Sequence, residues 1–371
     1  MSGSVSVSIP RGSFVMHIGV HKTGTTAIQS SLAQVRPGLR DRGISYPGRL
    51  MAHRDIASSA MGRPLGWRTE GARPPQPGLW EDTVRGARNF DGTTLISSEF
   101  LAEADDETAA RMITATGADR THIIITLRNF ARILPSAWQQ NLKSGMRSTY
   151  EDWLRKMLFD PETMETTVFW KRHRHDRVVN RWVSLLGPER VHVVVVDERD
   201  RGGIYRSFEG LLGLPDGFLQ PSTESRENRS FTAAEAEFLR RLNLAVADQG
   251  GWGRYRHQVH DRMEKGLVEG RAPAPDEPRL QTPQWALDRA AEFAVTFTDA
   301  IDTSGAQVIG DLEVLRAAHQ GLVSDAEAVE LVPVDAAVAA AMALLEAGGR
   351  VDARDPGRRA RRLANRILRR G

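Results

Sequence analysis

The chain has 371 residues, 40% of them apolar and 26% charged, which is ordinary for a soluble globular protein and enough to bury a substantial core. It contains no cysteine, so disulfides, a thiol nucleophile and a cysteine-ligated metal are excluded. Residues 351–371 hold eight arginines against Asp352 and Asp355, a net of +6 where the whole chain carries +3, so residues 1–350 sum to −3 and nothing marks the body as nucleic-acid-binding.

The N-terminal stretch Met1–Pro10 has neither the charged start nor the long apolar run of a signal peptide, and a cytoplasmic location is expected. Phe14–Ile18 has the composition of a buried strand, and Thr26–Val35 places Ile28, Leu32 and Val35 on one helix face. Between them runs Gly19-Val-His-Lys-Thr-Gly-Thr-Thr26. It keeps the frame of a phosphate-binding loop, G-x-x-x-x-G-K-[ST], with Gly19 and Gly24 at the glycine positions and Thr26 at the hydroxyl position. The lysine position is Thr25, however, and the loop's only lysine is Lys22. A strand-to-helix turn of this kind offers free amides and the positive end of a helix dipole to an anion. A phosphate-like group is expected there, but not ATP.

Beyond it, Arg63–Gly78 is rich in proline and glycine and reads as a surface loop, with a lid over the site as the alternative. Thr93–Ser97, His122–Leu127 and Val191–Val196 are the remaining apolar, β-branched strands, separated by helices over Thr108–Thr116, Ala131–Leu142 and Val178–Leu186. Strands alternating with helices give the expected fold class: an α/β, P-loop-NTPase-like parallel sheet with helices on both faces, plus a helical C-terminal extension. Ligands of such sheets bind at the carboxyl ends of the strands, which puts the loop after Ile18, Glu99 and Arg128 along one edge. Trp138, Trp153, Trp170 and Trp182 sit at helical positions and are expected in the core. His17 is expected there too. Lys171-Arg172 and Arg174 read as a solvated helix face, or as a basic surface that meets an anionic acceptor. The i, i+2 spacing of His173 and His175 does not put two imidazoles on one helix face.

Thr232 and Glu235 form a capping box, and Thr282-Pro283 reads as the cap and first turn of another helix. Arg254–Pro278 is expected to cross the surface between these helices. Val334–Ala347 reads as an alanine-rich helix with Asp335 as its cap and Gly348-Gly349 as its stop. Gly357–Arg370 has an apolar face surrounded by arginines, the pattern of a basic amphipathic helix. The organisation expected is one domain over 1–322 and an Arg-rich helical extension over 323–371, which either offers peripheral contact with the inner face of the membrane, docks on an acidic partner, or is a disordered, solubilising tail.

Three segments resemble the sulfotransferases that use 3′-phosphoadenosine 5′-phosphosulfate (PAPS), in particular bacterial relatives of carbohydrate sulfotransferases. His17–Thr26 is similar to that family's 5′-phosphosulfate loop. Ile123-Ile-Ile-Thr-Leu-Arg128, followed by Ser136-Ala-Trp138, is similar to its 3′-phosphate element, and Ile96-Ser-Ser-Glu99 to the strand-end Ser-Ser-Glu of many bacterial members. The similarity runs over about residues 12 to 320. The Arg-Lys-Gly segment of the cytosolic animal enzymes is missing, and Arg226 and Arg229 are the candidates to replace it.

The resemblance implies PAPS as co-substrate, transfer of a sulfuryl group to an acceptor hydroxyl, and a carbohydrate or glycolipid acceptor. It assigns the donor to Lys22, Thr23, Gly24, Thr25, Thr26, Arg128 and Ser136, and catalysis to Lys22 and Glu99. Lys22 would stabilise the bridging oxygen as the S–O bond breaks, and a sulfuryl group carries so little charge that no metal is called for. Arg128 suits a 3′-phosphate because it is a fixed charge with several donors. Glu99, beside apolar Phe100 and Leu101, is the expected base, with His53 second. His21 is expected to shape the loop. Val193-Val-Val-Val-Asp197-Glu198 keeps open a P-loop kinase or ATPase, because such a strand with an acidic end holds magnesium in those enzymes. A nucleotide-binding protein without transfer activity is the other alternative.

Overall fold

A computed structural model describes residues 8–66, 73–161, 163, 167–221, 229–246, 261–319 and 331–343. Six parallel strands form one sheet in the order β2-β3-β1-β4-β5-β6: β1 Phe14–His17, β2 Ile44–Ser45, β3 Thr93–Ser97, β4 Thr121–Leu127, β5 Val191–Val195 and β6 Gln307–Ile309. The four long apolar runs are strands as expected. β2 and β6 span two and three residues, too few for any alternation to show in sequence.

All residues of β1, β3, β4 and β5 are buried, and alternate side chains enter two different cores. Met16, Ile96, Ile123, Ile125, Val191 and Val193 pack with Trp80, Met112 and Trp182, which lie on helices α4 (Leu79–Arg88), α5 (Asp106–Thr116) and α9 (His175–Leu186). Val15, Leu95, Ile124 and Val194 pack with Ile28, Leu32, Leu39 and Phe208 from α1 (Thr25–Gln34), α2 (Arg36–Asp41) and α10 (Gly203–Leu212). Helices therefore cover both faces, which is why these strands read as continuous apolar runs. β1 lies between β3 and β4, where the connections leave toward opposite edges of the sheet, and the crevice for a ligand opens at such a switch point.

The chain divides into two compact units, one of residues 1–137, 150–225 and 282–325 and the other of residues 138–149, 226–281 and 326–371. In the second unit the capping box forms: Glu235 Oε2 accepts from the Thr232 amide (2.9 Å) and Thr232 Oγ1 from the Glu235 amide (3.2 Å). Asp261–Glu269 is a helix rather than a surface crossing, because Met263 and Leu267 on one face are buried. Asp335 is not a cap. It lies inside the helical turns at 334–343 and accepts from Arg271 Nε (2.8 Å). The expected stop at Gly348-Gly349 and the helix 357–370 lie outside the described residues.

In the first unit Thr282 is not the cap of the helix Gln284–Ser304 either. Pro283 takes the cap position, and the Thr282 hydroxyl is turned to Tyr150 Oη (2.9 Å). The described parts of Arg63–Gly78 carry no helix or strand. Among the described residues no helix is long and apolar enough to cross a membrane.

Candidate functional site

The loop after β1 has an unusual backbone. Gly19 (φ +49°), Lys22 (φ +70°) and Gly24 (φ +86°) all take the left-handed region, and Lys22 is the non-glycine residue that does so among the described residues. A bulky residue held there stores strain, which the surrounding structure must outweigh. Left-handed residues alternating with right-handed ones turn successive amides to one side and make a nest for an anion. Gly24 then caps α1, whose first amides have no acceptor within the helix.

The loop is also tied down from beneath. Thr23, fully buried, donates its hydroxyl to Val20 O (2.6 Å) and lies 2.8 Å from Thr126 Oγ1 on β4. Thr126 in turn meets His17 Nε2 (3.3 Å), and His17 Nδ1 meets Ser97 Oγ (2.8 Å). A polar chain thus crosses the ends of β3, β1 and β4 under the loop. His17 is a core residue as expected, with burial pushing its imidazole down to about 3, but its two nitrogens join three strands. Thr23 therefore offers an anion its amide and not its hydroxyl. Thr25 behaves differently: it is buried, and its Oγ1 has no hydrogen-bond partner in the protein. That hydroxyl lies over Gly19, where an added Cβ would come within 2.5 Å of it. A buried hydroxyl is rarely left without a partner. Beside the left-handed turns of the loop, this hydroxyl is a group that could hold an anion. Thr26 is exposed at the start of α1.

Arg128 follows β4 immediately. Its Nη1 donates to Lys22 O (3.4 Å), so the strand-end guanidinium and the loop meet directly. Its Nε donates to Glu198 Oε1 (2.6 Å), and its Nη2 is paired with the same carboxylate. Asp197 is held by Arg199, through Nη2 to Oδ2 at 2.8 Å. Both carboxylates of the acidic strand end are therefore engaged by guanidinium groups. Asn129, the next residue after Arg128, donates to Leu315 O and Ala317 O (both 2.9 Å) and draws the segment after β6 to this strand end. His319 comes close enough to feel the charges of Arg132, Glu198 and Arg128, which sequence reading missed because nearly 200 residues separate them. Ser136 lies on α6 (Phe130–Leu142), and its hydroxyl donates back to Ile133 O (2.9 Å).

Glu99 opens a short 3-10 helix, Glu99–Glu103, directly after β3. It is half-buried, and Gln29 Nε2 on α1 donates to its Oε2 (3.4 Å) and to Ser97 O (3.3 Å). The helix that carries the loop thus reaches the carboxylate. His53 is placed differently from a base. Its Nδ1 accepts from the Ser97 amide (2.9 Å) and its Nε2 donates to Pro47 O (2.8 Å), so both nitrogens bind backbone. Burial lowers it to about 4.

The structure also revises three basic residues. Arg172 is buried against Glu103 (2.8 Å) and Arg174 is paired with Asp176 (2.8 Å), so two of the three cations of the expected basic face are engaged within the protein; Lys171 is exposed, and Trp170 is buried as expected. Arg229 is held by the fully buried Glu235 (2.7 Å) in the second unit and has no charge to spare for a phosphate. Arg226 lies outside the described residues. Glu103 itself, unnoticed in the sequence, accepts from His21 (3.1 Å), Arg63 (2.9 Å) and Arg172. Burial alone would raise this carboxyl, but the hydrogen bond from His21 and the nearby cations outweigh it and hold it at about 2.

No family model matches the sequence, and no curated protein matches it. A solved structure of a sulfotransferase from Alicyclobacillus acidocaldarius aligns with a TM-score of 0.41 and 20% identity, covering 65% of this chain and 96% of that one.

Proposed function

We propose that the protein is a PAPS-dependent O-sulfotransferase. The observation that carries this reading is the left-handed Lys22 nest, with the buried, unpaired Thr25 hydroxyl inside it, in contact through Lys22 O with Arg128 at the neighbouring strand end. Two anion-binding elements side by side suit a donor with two separate anionic groups. The amides from Thr23 to Thr26 and the Thr25 hydroxyl would hold the 5′-phosphosulfate. Arg128 would hold the 3′-phosphate, joined by Ser136 once its hydroxyl turns away from Ile133 O.

In the reaction the acceptor O–H loses its proton to Glu99 while its oxygen attacks sulfur. The bond between sulfur and the bridging oxygen breaks, and the electron pair leaves with adenosine 3′,5′-bisphosphate. Lys22 stabilises the charge that builds on that bridging oxygen, an interaction stronger in the transition state than in the ground state. Gln29 orients the base from the same helix that carries the nest. A sugar hydroxyl, free or lipid-linked, is the proposed acceptor class, on the sequence resemblance.

Calorimetry with PAPS, adenosine 3′,5′-bisphosphate and ADP, followed by an acceptor screen with radiolabelled PAPS, tests the reading. Preference for the two 3′-phosphorylated nucleotides and label transfer to a hydroxyl acceptor are expected. Binding without transfer to any acceptor would leave a nucleotide-binding protein, and tighter binding of ADP would remove the donor assignment.

A further inference from the structure

His21 precedes Lys22 in the loop, and Glu99 begins the same five-residue 3-10 helix that Glu103 ends. Glu103 is 4% exposed and gathers three basic side chains from three elements. His21 Nε2 of the loop lies 3.1 Å from Oε1, Arg172 Nε of α8 (Thr167–His173) 2.8 Å from the same oxygen, and Arg63 Nη2 2.9 Å from Oε2. Phe100, between the two glutamates, is enclosed by the same groups: the His21 ring meets it edge-on at 5.0 Å, and the guanidinium groups of Arg54 and Arg172 lie over it at 4.7 and 5.9 Å. One buried carboxylate therefore locks the residue beside Lys22 and, through a rigid turn, the backbone of Glu99. Such an arrangement is more than the loop needs merely to fold, because Thr23 and Thr126 already fix it to the sheet.

We propose that Glu103 is a positioning residue that sets the distance between the Lys22 nest and Glu99, acting through His21. It touches neither donor nor acceptor. The inference rests on the sulfuryl-transfer reading for its kinetic consequence, but not for its structural one. Lys22 holds a left-handed backbone that costs energy, and a neighbour clamped on one side keeps it there. Releasing the clamp should let the loop relax and carry the ammonium group away from the reacting oxygen.

A double-mutant cycle of Glu103→Gln and His21→Ala tests this. If Glu103 works through His21, Glu103→Gln lowers turnover about 30-fold in the natural background and less than about 2-fold in the His21→Ala background, with nucleotide affinity changed about 3-fold or less. Effects that simply multiply would overturn the proposal. So would Glu103→Gln lowering the melting temperature with turnover per folded molecule unchanged, since that is a structural role alone. Because Glu103→Gln removes the negative charge that Arg172 and Arg63 face, Glu103→Gln/Arg172→Gln is the second variant, with the same pattern expected. Amide hydrogen exchange without nucleotide separates this inference from the proposed function. Exchange at Lys22–Thr26 should quicken about tenfold while the β5 amides keep their protection. Unchanged exchange in the loop defeats the proposal even if sulfuryl transfer is established. Faster exchange in a protein that never binds PAPS supports the clamp and removes the enzyme reading instead.

Discussion

Lys22 carries two properties on one residue, a strained backbone and the loop's positive side chain. Lys22→Ala keeps the nest but removes the charge. If the lysine acts on the transition state, kcat falls by about 100-fold or more while nucleotide affinity falls by less than about tenfold. Equal losses in both would make it a binding residue only. Arg128 is shared between Glu198 and Lys22 O. Charge-assisted bonds of this kind are worth about 1.5–3 kcal/mol, so Arg128→Ala should cut the preference for a 3′-phosphorylated nucleotide by about ten- to a hundred-fold. Calorimetry with adenosine 3′,5′-bisphosphate and AMP measures that preference, and an unaltered ratio refutes the clamp. The spacing of Gly19, Gly24 and Lys22 was legible in the sequence because it is local. The engagement of both His53 nitrogens was not, because its partners at Pro47 and Ser97 belong to a fold that had to be seen.

At the level of elements, the strand-to-helix turn between β1 and α1 depends on the absence of a side chain at Gly19. The φ of +49° disfavours any other residue, and a methyl group would meet the Thr25 hydroxyl at 2.5 Å. Gly19→Ala should therefore displace that hydroxyl. A loss of about tenfold or more in PAPS affinity is expected, with a stability cost of about 1–3 kcal/mol from the strained backbone. Denaturant melts beside calorimetry check this; a variant that binds normally would show that Thr25 does not line the anion site. The four long strands were legible as elements because both faces of the sheet are covered, so every position is apolar. β2 and β6 were not, since two or three residues paired at a sheet edge leave no periodic signature. The cap at Thr282 failed for another reason: its hydroxyl found Tyr150, a partner 132 residues away.

At the scale of the molecule, most histidines among the described residues are buried. Burial depresses His17 to about 3, and His53, His122, His175 and His192 to about 4; His122 Nδ1 and His192 Nε2 lie 3.0 Å apart on adjacent strands. In the unfolded chain these groups take up protons near pH 6.5, whereas in the folded protein they do not until near pH 4 or below. Stability is therefore full above about pH 6.5 and declines as pH falls from there toward 4. The melting temperature should drop by about 10 °C or more between pH 7 and pH 5; a flat profile would show that burial leaves these groups unperturbed. A second large-scale feature lies in the helical turns at 334–343, where Val334, Val338 and Met342, four residues apart, are 79%, 54% and 50% exposed. From this apolar stripe and the net +6 of residues 351–371 we propose contact with an anionic lipid surface. Liposomes containing phosphatidylserine should sediment the natural chain, and less of a variant with Arg358, Arg359, Arg361 and Arg362 changed to Gln; equal sedimentation removes the membrane contact.

What the sequence determined by itself was local: which runs are strands, which turn can receive an anion, and where the positive charge of that turn lies. Glycine spacing and apolar runs report only on neighbours along the chain. The tertiary structure decided which charges remain available. It closed Arg172, Arg174 and Arg229 on buried or half-buried carboxylates, turned the Thr23 hydroxyl inward, left that of Thr25 unpaired, and gathered His21, Arg63 and Arg172 around Glu103. The reason is energetic. A buried charge must find a partner wherever the fold brings one within reach, and that partner is set by packing, not by separation in sequence.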